Sequence, residues 1–444
     1  NVAIGYGALS EDTLGDRSIA IGHNALTLQN FTTSTQVFNT AIGHNVGASI
    51  TTGIFNTLIG GLAGDALTDA DSNVAVGLNA LTNDTKGNKS VAIGQEALGN
   101  QNFTTSTDTF NVAAGHQAGT FMTTGRSNTL LGSNAGDALS DADRNIAIGS
   151  DSLGADTLGS RSVAIGVGAL FNQNFTTATD TYNVAVGDSA GLSVTTGTIN
   201  TLIGGLAGDA LTSGNSNVAV GFTSLSADTQ GDRNVAVGSN ALAQQNFTTS
   251  TDSYNIGIGY AAGGSVTTAV QNTLVGGLVG DALTTGGENA AFGYATLTSE
   301  TTGSNNVAIG SLALLSQNGG SNNTAVGYNS GRSVSSGVQN TLLGASAGDA
   351  LTDADFNVAI GFQSLTTDTL GSRSVAIGYN SLLSQNATSA ANMYNVAIGF
   401  GAGESVSTGQ QNTIVGALAG DAMTTGSVNS FFGYESGGSG TITG

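Results

Sequence analysis

Hydrophobic positions recur along the chain in a five-residue pattern: Asn or Ser, a β-branched or small residue, Ala or Leu, then Ile, Val or Leu, closed by Gly. It reads NVAIG at Asn1–Gly5, NTLIG at Asn56–Gly60 and SVAIG at Ser90–Gly94. The 25 closing glycines run from Gly5 to Gly433, spaced by 17 residues or, at five places, by 21. β-Branched and aliphatic runs of this length predict strands. Helical-hairpin repeats need ~33 residues or more, which excludes them here. A second glycine ten residues after the first, as at Gly15, Gly53 and Gly87, predicts a unit of strand, tight turn, short strand and turn. The expected fold is all-β: a parallel β-solenoid (β-roll or β-helix) of about 25 rungs, stacked at ~4.8 Å.

The units group in fours of 72 residues. One continuous repeat domain, 1–444, is thereby expected, with sets at approximately 1–72, 73–144, 145–216, 217–288, 289–356 and 357–428 and a partial set at 429–444. Units one and two follow the closing glycine with a small residue and Leu (Ala8-Leu9), units three and four with a small residue and Gly (Val46-Gly47). In the first four sets the second unit carries a four-residue insertion holding NFTTST or NFTTAT; in the fifth a shorter QNGGSNN stands, and in the sixth the insertion opens at Asn386 with NAT. The residue that opens each pattern, among them Asn1, Asn39, Asn56, Asn73, Asn111, Asn128 and Asn145, predicts a structural ladder of amides that hydrogen-bond along the axis and fix the register. Alternation places Val2 and Ile4 on one strand face and Ala3 on the other, and both columns stay apolar almost throughout. One face is expected to fill the rung and the other to pack on neighbouring chains, as a homotrimer or a filament.

Composition narrows the class. The chain has 68 Gly and no Pro, Cys or Trp, so collagen and disulfide scaffolds are excluded, and the absence of Pro suits a ladder that uses every N–H. With 9 Lys+Arg against 30 Asp+Glu and a net charge of −21, the chain repels polyanions, and nucleic acid is not an expected partner. No apolar run reaches ~18 residues, so no membrane insertion is expected in this segment, and no signal peptide is expected at Asn1.

Candidate chemistry is sparse. His23, His44 and His116 follow closing glycines at turn positions, and no nucleophile with a partnered base breaks the repeat, so no catalytic residue, cofactor or metal is expected. Calcium is the one ion the acidic clusters admit, at Asp65, Asp69 and Asp71 and their equivalents. Those clusters recur set by set, unlike an active site, which breaks the local pattern. The inserted loops are the candidate contact sites: Asn30, Phe31 and Thr32; Asn102, Phe103 and Thr104; Asn174, Phe175 and Thr176; Asn246, Phe247 and Thr248. Each Phe has two readings, either outward towards a sugar or protein surface, or folded back over the core or a neighbouring chain. Asn30, Asn102, Asn174, Asn246 and Asn386 also open N-x-T patterns that admit glycosylation.

The NVAIG and SVAIG units, and the run NVAIGYGALSEDTLGDRSIAIG at Asn1–Gly22, resemble the head repeats of trimeric autotransporter adhesins and the 17-residue repeats of tail-fibre-like proteins. The resemblance covers essentially the whole chain. It implies a trimeric β-roll in a stalk or adhesive head outside the cell, on a cell surface or virion. The expected function is a structural extracellular fibre with loops that contact a cell-surface glycan or protein receptor. The alternatives are a polymerising, glycosylated surface filament and, from other classes, a carbohydrate-active β-helix enzyme or an ice-binding solenoid.

Overall fold

The computed structural model describes residues 1–438 and divides the chain into two compact units, Asn1–Ala219 and Val220–Gly444. The end of the expected partial set, 439–444, lies outside the described residues. Each unit is a parallel β-solenoid, and the two together hold about 25 turns. The described residues contain no helix.

Every five-residue pattern supplies a three-residue strand. In the first unit Thr57–Ile59 pairs in parallel with Val74–Val76, residue for residue, and in the second Val396–Ile398 pairs likewise with Thr413–Val415. A strand this short buries too little alone and is held by its neighbours, so stability is shared between successive rungs. The chain leaves each strand through the closing glycine. Gly60, for example, has φ of 133°, and a Cβ there would collide with the carbonyl of Gly77 one rung on. Further left-handed corners are made by non-glycine residues such as Asn24, Leu26 and Phe38.

The middle residue of each strand points into the rung: Ala20, Ala41, Leu58 and Ala75 are fully buried. The flanking residues point outward. The four-rung period is an exchange of volume inside this narrow core. Rungs one and two pair a strand Ala (Ala75, Ala92) with a buried Leu at a left-handed corner (Leu81, Leu98). In rung four the strand carries Leu58 or Leu130, and the corner becomes Gly64 or Gly136, where a Cβ would press on that same leucine. Close packing leaves room for one large side chain or the other.

The second short strand departs from the expectation. Among the described residues it forms only between rungs one and two of five sets, as Gly87–Asn88 with Thr107–Asp108. Elsewhere a side chain takes over the ladder bond: Asp71 Oδ1 accepts the N–H of Ile54 at 2.8 Å, and Asn88 Oδ1 accepts that of Asp71 at 2.8 Å. The backbone there is satisfied without strand geometry.

The amide ladder runs through both units, with its bonds arranged differently from a plain amide stack. Asn56 accepts the N–H of Asn73 at its Oδ1 (2.9 Å) and donates Nδ2 to the carbonyl of Ala70 across the rung (2.8 Å). Asn39 and Asn128 do the same to Asn56 and Asn145 and to the carbonyls of Gly53 and Ala142. Asn1, Asn73, Asn111 and Asn145 likewise donate to Gly15, Gly87, Gly125 and Gly159. Direct amide-to-amide bonds are longer, 3.3 Å from Asn56 to Asn39.

Candidate functional site

The insertion is built on a buried acid. In set two, Asp84 Oδ1 accepts the N–H groups of Gly87 (3.1 Å) and Phe103 (3.0 Å), while its Oδ2 takes Gln101 Nε2 at 2.6 Å. Gln101 also donates to Ser90 Oγ (2.8 Å) and accepts from Asn111 Nδ2 (2.9 Å). Ser90 therefore stands in the ladder where the longer Gln supplies the amide, whereas in set four Asn234 holds that place beside Gln245 and its Oδ1 accepts the N–H of Asn255 at 3.2 Å. Asp156 with Gln173 and Ser162, and Asp368 with Gln385 and Ser374, repeat the arrangement. In the fifth set, without the insertion, the longer Glu300 replaces the Asp and still receives Gln317 (3.0 Å) and the Gly319 N–H (2.8 Å). Burial pushes the carboxyls of Asp156 and Asp228 above the ordinary aspartate range, against the opposing pull of their glutamine and backbone donors.

The loop aromatics turn inward over this anchored backbone. Phe31 is 6% exposed, and Phe103, Phe175 and Phe247 are equally buried, so of the two readings the structure takes the one in which each ring folds back over the core. Thr32, Thr104, Thr176 and Thr248 remain exposed, as do Asn30, Asn102, Asn174, Asn246 and Asn386. Each of these Asn side chains accepts a threonine hydroxyl from the preceding rung, as Asn102 does from Thr85 at 3.2 Å. On the return strand a basic residue clamps the loop: Lys89 meets Asp108 at 2.6 Å and lies over Phe110, and Arg161 does so with Asp180 and Tyr182.

The acidic cluster is divided among separate partners. Asp65 accepts Thr82 Oγ1 at 2.5 Å, Asp69 lies 3.6 Å from Lys86, and Asp71 is part of the ladder described above. Among the described residues no three His, Asp or Glu side chains converge as a metal group. Tyr6, His23 and His44 form a column of parallel rings with centroids 5.4 and 5.2 Å apart.

The outward strand face is open to solvent. Its fourth-position column holds Ile42 (37% exposed), Ile59, Ile93 (44%) and Ile203 in the first unit, and Ile258, Ile309, Ile360 and Ile398 in the second. Within the single chain this apolar face is therefore half open, whereas the inner one is closed. No protein-family model matches the chain, and no curated protein matches it. Among the described residues no helix is long and apolar enough to cross a membrane.

The buried Asp–Gln–Ser network was not anticipated from the sequence, although its signal is there: Ser opens the pattern only in second rungs, always eleven residues before a Gln (Ser18 and Gln29, Ser90 and Gln101).

Proposed function

We propose that the chain is a structural, non-catalytic module of an extracellular fibre or stalk that assembles with copies of itself, most simply as a homotrimer, and presents its inserted loops to a surface partner. One observation carries the reading: the outward column of Ile and Val that each unit holds half open to solvent in strict register. A contiguous apolar surface of this kind marks an interaction site. Its repeat is the rung spacing itself, so a partner that meets it at every rung is another solenoid of the same pitch.

The non-catalytic part is supported by how the buried acids are used. Asp84, Asp156 and Asp368 are saturated by donors of their own chain and recur from set to set, while an active site needs groups free to meet a substrate. The extracellular setting rests on the likeness of the NVAIG and SVAIG repeats to adhesin-head and tail-fibre-like repeats. With the Phe rings turned inward, Thr32, Thr104, Thr176 and Thr248 and their neighbouring Asn residues are the groups left to a glycan or protein receptor, or to glycosylation.

Light scattering tests the assembly. The expected mass is three times the 43.6 kDa of one chain. Replacing Ile42, Ile59 and Ile93 together by Lys is expected to reduce it to one chain with an unchanged far-UV spectrum. A monomeric wild-type chain would overturn the reading, and very large species would favour a polymerising filament.

A further inference from the structure

In the first unit one outward turn residue departs from an otherwise constant column, next to a glycine in a column of varied side chains. Two residues before the buried Gln of each second rung the side chain varies, with Thr27, Phe171, Ala243, Leu315 and Leu383, and in set two Gly99 has none. One residue before the buried aliphatic side chain of each third rung stand Ser49, Ser193, Ser265, Ser333 and Ser405, but Phe121 in set two. Gly99 is not among the glycines with positive φ, so the backbone does not demand glycine there. Phe121 is 58% exposed. A column that is Ser in five sets and Phe in one, beside a position that has lost its side chain, is where a function is to be sought.

The missing side chain of Gly99 opens a cleft of about 330 Å³ across three rungs, with Phe121 at its rim. Two hydrogen-bonded pairs flank the gap. Asn83 Nδ2 donates to Asn100 Oδ1 at 2.9 Å, and Gln117 Nε2 donates to Glu96 Oε2 at 2.7 Å. Hydrogen bonds from Gln117 and Gln95 hold the Glu96 carboxyl below the ordinary range, so it is ionised at neutral pH. Asn79, Thr82 and Thr120 complete a lining of amides, hydroxyls and one carboxylate, without Lys or Arg.

This chemistry selects the ligand. An anion meets Glu96 and no compensating cation. A divalent cation finds one carboxylate where several hard oxygen ligands are needed. A neutral polyol fits: its hydroxyls can both donate and accept among the amides and the carboxylate, and the C–H face of a pyranose ring can lie on Phe121. The volume is at the small end of ligand sites, which run from roughly 300 to 1,000 Å³. We propose that the cleft between Glu96, Asn100 and Phe121 binds a neutral saccharide of one or two rings. The proposal rests on the adhesive half of the function above and adds a defined site to it, independent of the inserted Phe loops. A single weak site of this kind, repeated by oligomerisation, gains through multivalency.

Saturation-transfer NMR on the full chain tests it, with glucose, galactose, mannose, N-acetylglucosamine and their disaccharides as probes and N-acetylneuraminic acid as the acidic control. At least one neutral sugar is expected to give a signal. Gly99→Leu and Phe121→Ser are each expected to weaken it by about tenfold or more, with far-UV spectrum and oligomeric mass unchanged. Both substitutions place residues that other sets already carry at these positions, so the rungs are expected to fold. The proposal is overturned if no neutral sugar gives a signal, if only the acidic sugar does, or if the signal survives both substitutions. Binding of the labelled wild-type chain to whole cells is scored in parallel. Cell binding without a neutral-sugar signal overturns the cleft assignment and leaves adhesion standing, whereas the absence of both overturns both.

Discussion

An asparagine in the ladder satisfies two buried backbone groups that the strands alone leave open. Replacing Asn56 by Ala strands the N–H of Asn73 and the carbonyl of Ala70, both otherwise bonded at 2.9 and 2.8 Å. At about 1–3 kcal/mol for each unpaired buried group, the expected loss is roughly 2–6 kcal/mol, measured by denaturant unfolding, with faster hydrogen exchange at Asn73. The buried acids behave differently. Because burial raises the carboxyls of Asp156 and Asp228 in the folded chain, the folded state holds their protons more tightly than the unfolded one. Their contribution to stability therefore grows as pH falls through the raised value towards the ordinary aspartate range. The double variant Asp156→Asn/Asp228→Asn lacks this gain. Its melting temperature relative to wild type is expected to be higher at pH 7 than at about pH 4, and a difference independent of pH would contradict the burial assignment.

At the scale of the rung, the inserted loop is held at three points: its buried Phe, the acid beneath it and the basic clamp on its return strand. Phe103→Ala removes the first, at an expected cost of about 3–4 kcal/mol, and should expose the segment 103–106 to proteolysis while Asp84 and Lys89 keep the rung closed. The strand motif, the rung length and the Asn ladder were legible in the sequence, because each follows from a periodicity that only one backbone arrangement satisfies. The direction of Phe31 and its equivalents was not, since the same residues suit an exposed aromatic or a folded-back one, and the choice rests on space over the preceding rung, where the Phe31 ring lies against Gly15. The role of Asp71 was hidden for a related reason. A carboxylate accepting the N–H of Ile54 one rung back looks, in sequence, like any other acid in a polar turn. The outward Ile column was read correctly as apolar, but which column closes the core depends on the handedness of the corners, and that is carried by left-handed residues such as Leu26 and Leu81 that have no glycine to announce them.

Across the whole molecule, near-identical sets mean that stability is a sum of rung and neighbour terms, while any single function must sit where the sets differ. These two properties can be separated by deletion. Removing 73–144 takes out one complete set and joins Ser72 to Asn145, an Asn that opens the same pattern as the deleted Asn73. The expected product keeps its far-UV spectrum per residue and its tendency to self-associate, since the outward Ile column remains in register in the rungs that are left. It should lose saccharide binding entirely, because Glu96, Gly99 and Phe121 leave together. Removing 145–216 instead shortens the chain by the same length and preserves the cleft, so binding should persist at wild-type strength per chain. Equal loss in both deletions would mean that binding depends on the length of the stack and not on the place where its pattern breaks.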